Sequence, residues 1–168
     1  MDLSDYAALV ADKYPFGISS FSSNKSSVIE VSTTPISPVL TWKYKNEKHI
    51  VTEQKVISGS TIKTVPVGIN TLTWDPIDIS SHKTVSFTLT AKADEGAKSD
   101  TKSVSIDVVH KRYYGVLNST DVPTSLTGLT ACSTLKTTAS ENITVTLNNQ
   151  YACYMYPSYM TDINTIKD

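Results

Sequence analysis

From residue 17 onward the apolar residues recur with a period of two, in many short runs separated by turn-forming residues. Such runs are strands with one face in a core and one in water, because successive strand side chains point to opposite sides. The clearest is Val39-Leu-Thr-Trp-Lys-Tyr-Lys45, which sets Leu40, Trp42 and Tyr44 on one face and Thr41, Lys43 and Lys45 on the other. Residues 84–91 alternate the same way through Val85, Phe87, Leu89 and Ala91. Residues 101–108 do so through Val104, Ile106 and Val108, and Asp94-Glu95-Gly96 joins these two runs as a hairpin loop. Shorter strands are expected at 18–24, 27–32, 55–57, 61–65 and 71–74. Pro35-Ile-Ser-Pro38, Ser58-Gly59-Ser60, Pro66-Val-Gly68 and Asp75-Pro76 break the chain between them. About seven short strands in roughly ninety residues predict an immunoglobulin-like β-sandwich over 17–109, with Trp42 at its centre.

Composition agrees with an all-β chain. Ser and Thr make up roughly a quarter of the residues, well above ordinary usage. Thr fits a pleated, half-buried surface and Ser fits turns. The net charge of −1 gives no footprint for nucleic acid, which calls for clustered basic residues. The densest basic groups are Lys43, Lys45 and Lys48, then His110, Lys111 and Arg112, and both read as solvated strand edges. No apolar run approaches the roughly 20 residues of a membrane-spanning helix, so no membrane partner is expected. The chain opens Met1-Asp2-Leu3-Ser4-Asp5, acidic where a signal peptide is basic, which predicts assembly in the cytoplasm.

Residues 3–13 are the one stretch with helical spacing. Leu3, Tyr6, Ala7, Val10 and Tyr14 form a stripe, Asp2 is placed to cap it, and Pro15 stops it. A helix this short is marginal alone in water. It is expected either to pack on its own sandwich or to act as an anchoring arm (residues 1–16) with Leu3, Tyr6, Val10 and Tyr14 as assembly contacts.

A second β module is expected over 110–168. It begins at Arg112-Tyr-Tyr-Gly-Val116, turns near 126–129, and continues through Asn142-Ile-Thr-Val-Thr-Leu147. Asn148-Asn149 then turns it into Tyr151-Ala-Cys-Tyr-Met-Tyr156. Nine of the fourteen aromatic residues are tyrosine. Tyr113, Tyr114, Tyr154 and Tyr156, with Tyr151 and Tyr159 nearby, are candidates for a surface that stacks on sugars or contacts protein; core packing is the competing reading.

Little else points to chemistry. His49, His82 and His110 are far apart and read as exposed loop histidines rather than metal ligands. Asp75 and Asp78 can serve a calcium ion, but an Asp-Pro turn explains them more simply. No nucleophile elbow, phosphate loop or dinucleotide fingerprint occurs. Neither catalytic residues, cofactor nor metal are expected. Cys132 and Cys153 can bridge only if their Cα atoms come within about 7 Å. The sequons at Asn24, Asn118 and Asn142 carry little weight without a secretion signal.

Taken together, the Val39–Tyr44 strand, the Lys83–Ala91 strand with its hairpin, the Arg112-Tyr-Tyr-Gly-Val116 opening and Gln150-Tyr-Ala-Cys-Tyr-Met-Tyr-Pro157 resemble modular virion proteins of tailed bacteriophages. In fibres, tails and baseplates of that kind an immunoglobulin-like domain is followed by a small "YYG" β module. The resemblance covers roughly residues 18–160. It implies a non-enzymatic structural protein of the virion, working as spacer and attachment module. The implied partners are other virion proteins and further copies of the chain, a trimer among them, with a surface glycan as the alternative ligand. The relatives run on past the Tyr-Pro strand, whereas this sequence ends at Asp168, so the module is expected to be completed by another subunit or by further chain.

Overall fold

The computed structural model describes residues 15–45, 48–121, 123 and 125–160. Among these the fold is nearly all-β. The helix expected over 3–13, with Leu3, Tyr6, Val10 and Tyr14, lies outside the described residues. The chain forms two compact units. Of the described residues, the first takes those within 15–27, 35–78 and 84–106, and the second takes those within 28–34, 79–83 and 107–160.

In the first unit, β4 (Val39–Tyr44) runs antiparallel between β1 (Ile18–Ser23) and β7 (Thr71–Thr73). β5 (Val51–Ser58) runs antiparallel between β6 (Thr61–Thr64) and β9 (Lys83–Ala93). β9 neighbours β10 (Lys98–Val109) across a tight left-handed turn at Asp94–Gly96. The inward parity read from the sequence is the observed one. Leu40 and Trp42 are buried from β4, and Phe87, Leu89 and Ala91 from β9. Phe21 meets Trp42 edge-on, and Trp74 meets Phe87 at 5.3 Å between ring centres. Outward parity carries hydroxyls that bond across the strands, Ser86 to Ser105 and Thr88 to Ser103, at 2.8 and 2.9 Å. Such cross-strand pairs are one use of the unusual Ser and Thr content.

One polar side chain ties this core together. Gln54, on β5, is 1% exposed. Its Oε1 accepts from Trp42 Nε1 (3.1 Å) and Tyr44 Oη (2.6 Å), and its Nε2 donates to the carbonyls of Pro66 and Ile69 (2.7 Å each). Every hydrogen-bonding position of the amide in use is thereby satisfied, which is the condition under which a buried polar group is tolerated.

In the second unit, β2 (Val28–Glu30) lies parallel to residues 107–109 of β10. A separate sheet has β11 (Tyr113–Leu117) between β12 (Thr130–Ala131) and β13 (Tyr151–Met155), both antiparallel to it. Besides β12, two short strands escape the sequence pattern. β3 (Ser32–Ile36) runs through Pro35, expected to break the chain, and β8 (Ile77–Ile79) starts just after Asp75-Pro76; the two pair only with each other. Proline is compatible with such a marginal ladder because it needs to donate nothing on a free edge. Conversely, residues 142–147 alternate as a strand should but join no ladder among the described residues. Alternation dictates an extended chain; a ladder also needs a partner edge.

Candidate functional site

The YYG strand β11 organises the second unit. Gly115 is required there by a close approach. A Cβ at this position would sit 2.8 Å from Leu129 Cδ2 and 3.3 Å from the Gly128 carbonyl oxygen. The turn 126–129, closed by the Leu129 N–H to the Leu126 carbonyl and by Gly128 at φ 82°, therefore lies directly on β11.

Arg112, immediately before β11, is not the solvated edge residue expected from the sequence. It is 1% exposed. Its Nη1 donates to the Ser140 carbonyl and Tyr154 Oη, and its Nη2 donates to the Thr134 carbonyl and, at 2.8 Å, to Glu141 Oε2. Lys136 adds a second cation on Glu141 at 3.1 Å. Burial alone would push the Glu141 carboxyl up, but the Lys136 hydrogen bond and the Arg112 charge outweigh it and hold the group below its usual range. The planar fork of Arg112 thus replaces a ladder as the means of fixing residues 134–141, which contain no strand.

The tyrosines divide between three environments. Tyr113 and Tyr114 are neighbours on a strand and so point to opposite faces. Tyr113 and Tyr156 line one open groove of about 370 Å³ with Leu126, Met155, Lys111 and Tyr159. Tyr114 lines a different recess of about 330 Å³ beside Thr130, Cys132 and Glu141. Tyr154 packs against Tyr156 at 5.5 Å between centroids, but its hydroxyl is engaged: it accepts from Arg112 and donates to the Ala139 carbonyl. Burial raises the Tyr154 phenol above its usual pKa, with Arg112 opposing. Of the four candidate contact residues, then, Tyr113 and Tyr156 share a surface, Tyr114 faces elsewhere, and Tyr154 is a structural strut.

Tyr159 closes one end of the groove. Its ring stacks on the exposed imidazole of His82 at 3.5 Å and 8°, and its hydroxyl accepts the His110 backbone N–H at 2.8 Å. No protein-family model, curated protein or solved structure matches this chain. The groove and the arginine clasp must therefore be read from their own chemistry. The groove offers tyrosine faces, a methionine and a proline with a cation at its rim, where Lys111 is paired with Glu30 at 2.8 Å. It is a surface for stacking and apolar contact.

The remaining sequence candidates fall elsewhere. His49 is no exposed loop residue: its Nδ1 lies 2.6 Å from Asp94 Oδ2, its side chain is nearly buried, and Phe16 packs edge-on against it. Hydrogen bonding from His49 holds the Asp94 carboxyl below its usual range, with burial opposing. Asp75 accepts from Lys63 Nζ at 2.6 Å, which suits the turn reading. Among the described residues no group of His, Cys, Asp or Glu forms a metal cluster. Cys132 and Cys153 are both free thiols. They lie on opposite sides of β11 and are offset along it, Cys132 beside Arg112 and Cys153 beside Gly115, so their Cα atoms stand well beyond the roughly 7 Å that a disulfide spans.

Sequence reasoning missed Arg112, Glu141, Lys136 and Leu126. One signal was present for the first: Arg112 has the same strand parity as Tyr114, so it is placed to point to the side where residues 130–141 return.

Proposed function

We propose that this chain is a non-enzymatic structural component of a tailed-bacteriophage virion, of the fibre, tail or baseplate kind. In this reading the first unit is an immunoglobulin-like sandwich acting as a rigid spacer, and the second is an attachment module. The carrying observation is the antiparallel pairing of Tyr113-Tyr-Gly-Val-Leu117 with Tyr151-Ala-Cys-Tyr-Met155, in register from Tyr113↔Met155 to Leu117↔Tyr151. It joins in one sheet the two segments on which the resemblance to such modules rests. The buried Trp42, which meets Phe21 of the adjacent strand and donates its indole N–H to Gln54 on β5, further supports the immunoglobulin-like reading. Leu3, Tyr6, Val10 and Tyr14 are the proposed contacts to the particle, and other virion proteins and further copies of the chain are the proposed partners. No catalytic step is assigned. Immunogold labelling of intact particles encoded by the same genome tests the reading. Label on a fibre, tail or baseplate is expected; particles that lack the chain would sink it.

A second reading, a glycan-binding adhesion module, draws on the tyrosine-lined groove. Tyrosine faces stack on sugar rings through the same apolar contact that makes them interface residues. Glycan-array binding that is lost on Tyr156→Ala and Tyr113→Ala would favour it. Tyr154→Ala is unsuitable as a probe, because it breaks the Arg112 clasp.

A further inference from the structure

Most sheet edges in this protein are blunted. On β1, the Ile18 N–H is taken by Asp100 Oδ2 and the Ser19 carbonyl by Lys102 Nζ. β6 carries Lys63, ion-paired to Asp75, and β2 carries Glu30, ion-paired to Lys111. β3 contains Pro35 and β8 contains Asp78. β7 and β12 are only three and two residues long. These are the known devices by which sheets avoid joining edge to edge. β13 has none of them. It is five residues, Tyr151-Ala-Cys-Tyr-Met155, with no charge, proline, glycine or bulge. It is the terminal strand of its sheet, and its outer edge has no ladder partner among the described residues. Tyr151 is 51% exposed and Ala152 is exposed beside it.

We propose that β13 is a self-association strand, on which a second copy of this chain pairs antiparallel about a two-fold axis at Cys153. The sequence of the strand is self-complementary in that register. Cys153 falls opposite itself, Ala152 opposite Tyr154 of the second copy, and Tyr151 opposite Met155. A large side chain thus meets a small one, and an aromatic ring meets a thioether, a favourable pair. No like charges oppose each other, which is the usual barrier to joining a strand to its own copy. The ladder supplies main-chain hydrogen bonds, as in other strand-addition complexes. The proposal rests on the sheet edge and stands apart from the virion reading, since purified chain dimerises in either case.

Antiparallel pairing sets opposed Cα atoms about 4.5–5.5 Å apart, inside the range a disulfide spans. Diamide therefore gives a direct test. It takes two hydrogens from two thiols, becoming the hydrazine as the S–S bond forms. The expected product from wild-type chain is a dimer linked Cys153 to Cys153, abolished by Cys153→Ser and kept in Cys132→Ser. Under reducing conditions, sedimentation should give twice the chain mass for wild type and the single mass for Cys153→Lys, which opposes two cations across the axis. A wild-type chain that sediments as a monomer and forms no such link overturns the proposal. So does a dimer that persists in Cys153→Lys and cross-links through other positions, such as one built from residues 142–147 of the second copy.

Discussion

Gln54 and Arg112 are the two fully buried polar side chains among the described residues, and each holds a unit together by satisfying several partners at once. Their roles differ in charge. Gln54 gathers neutral groups, whereas Arg112 brings a full cation into the protein and needs Glu141 to offset it. Arg112→Lys keeps the charge but loses the fork, so it cannot reach the Ser140 and Thr134 carbonyls, Tyr154 and Glu141 together. It is expected to lower stability by about 3 kcal/mol, because buried acceptors left unpaired each cost on the order of 1–3 kcal/mol. The midpoint of urea unfolding measures this, and a loss below about 1 kcal/mol would show that the clasp is not what fixes residues 134–141. The same clasp has a pH signature. Glu141 and Asp94 both have folded pKa values below their usual range. Their contribution is therefore complete above the ordinary carboxylate range and is lost as pH falls through the depressed folded values, below about pH 4. Unfolding midpoints measured from neutral pH down to about pH 3 should show this acid limb, and Glu141→Gln should shallow it.

Single elements here are set by backbone geometry as much as by hydrophobic pattern. The turn between β9 and β10 has three consecutive residues at positive φ: Asp94 at 53°, Glu95 at 56° and Gly96 at 90°. Asp94 is held there by His49, by the Ile50 N–H on its Oδ1 and by its own N–H to the Ile50 carbonyl. Glu95 is not so held, and a non-glycine residue in this region costs about 1–2 kcal/mol. Glu95→Gly should therefore stabilise the protein by roughly 1 kcal/mol, after the added freedom of the unfolded chain is subtracted. Thermal unfolding reads this as a rise of a few degrees, and a fall would mean that the Glu95 side chain itself contributes. A hairpin loop was legible in Asp94-Glu95-Gly96, but the positive φ at Glu95 was not, since turn residues alone do not fix which of them takes the left-handed conformation.

For the whole molecule, the main departure from the linear reading is how the units are composed. The chain passes from the first unit to the second at 106/107. Yet residues 28–34 and 79–83 also belong to the second unit, supplying β2 and the His82 ring that stacks on Tyr159. A fragment of residues 110–168 thus lacks pieces of its own unit. It is expected to be without fixed tertiary structure, seen as collapsed amide dispersion in its NMR spectrum, whereas the full chain disperses. A fragment that folds on its own would show that β2 and His82 are dispensable.

The sequence by itself determined the all-β class, the inward parity of Leu40, Trp42, Phe87 and Leu89, and the turns at Asp94–Gly96 and 126–129. These are local matters: strand periodicity and turn chemistry act over a few neighbouring residues. It did not determine which extended segments find an edge, so residues 142–147 were expected in a sheet and β3 and β8 were not. It left Arg112 among solvated charges and the tyrosines as one surface. Only the tertiary structure decided these points, because burial of a charge and the sharing of a groove depend on what distant segments bring to the same place. Glu141 and the Thr134 and Ser140 carbonyls reach Arg112 from more than twenty residues away, and no window along the chain contains them all.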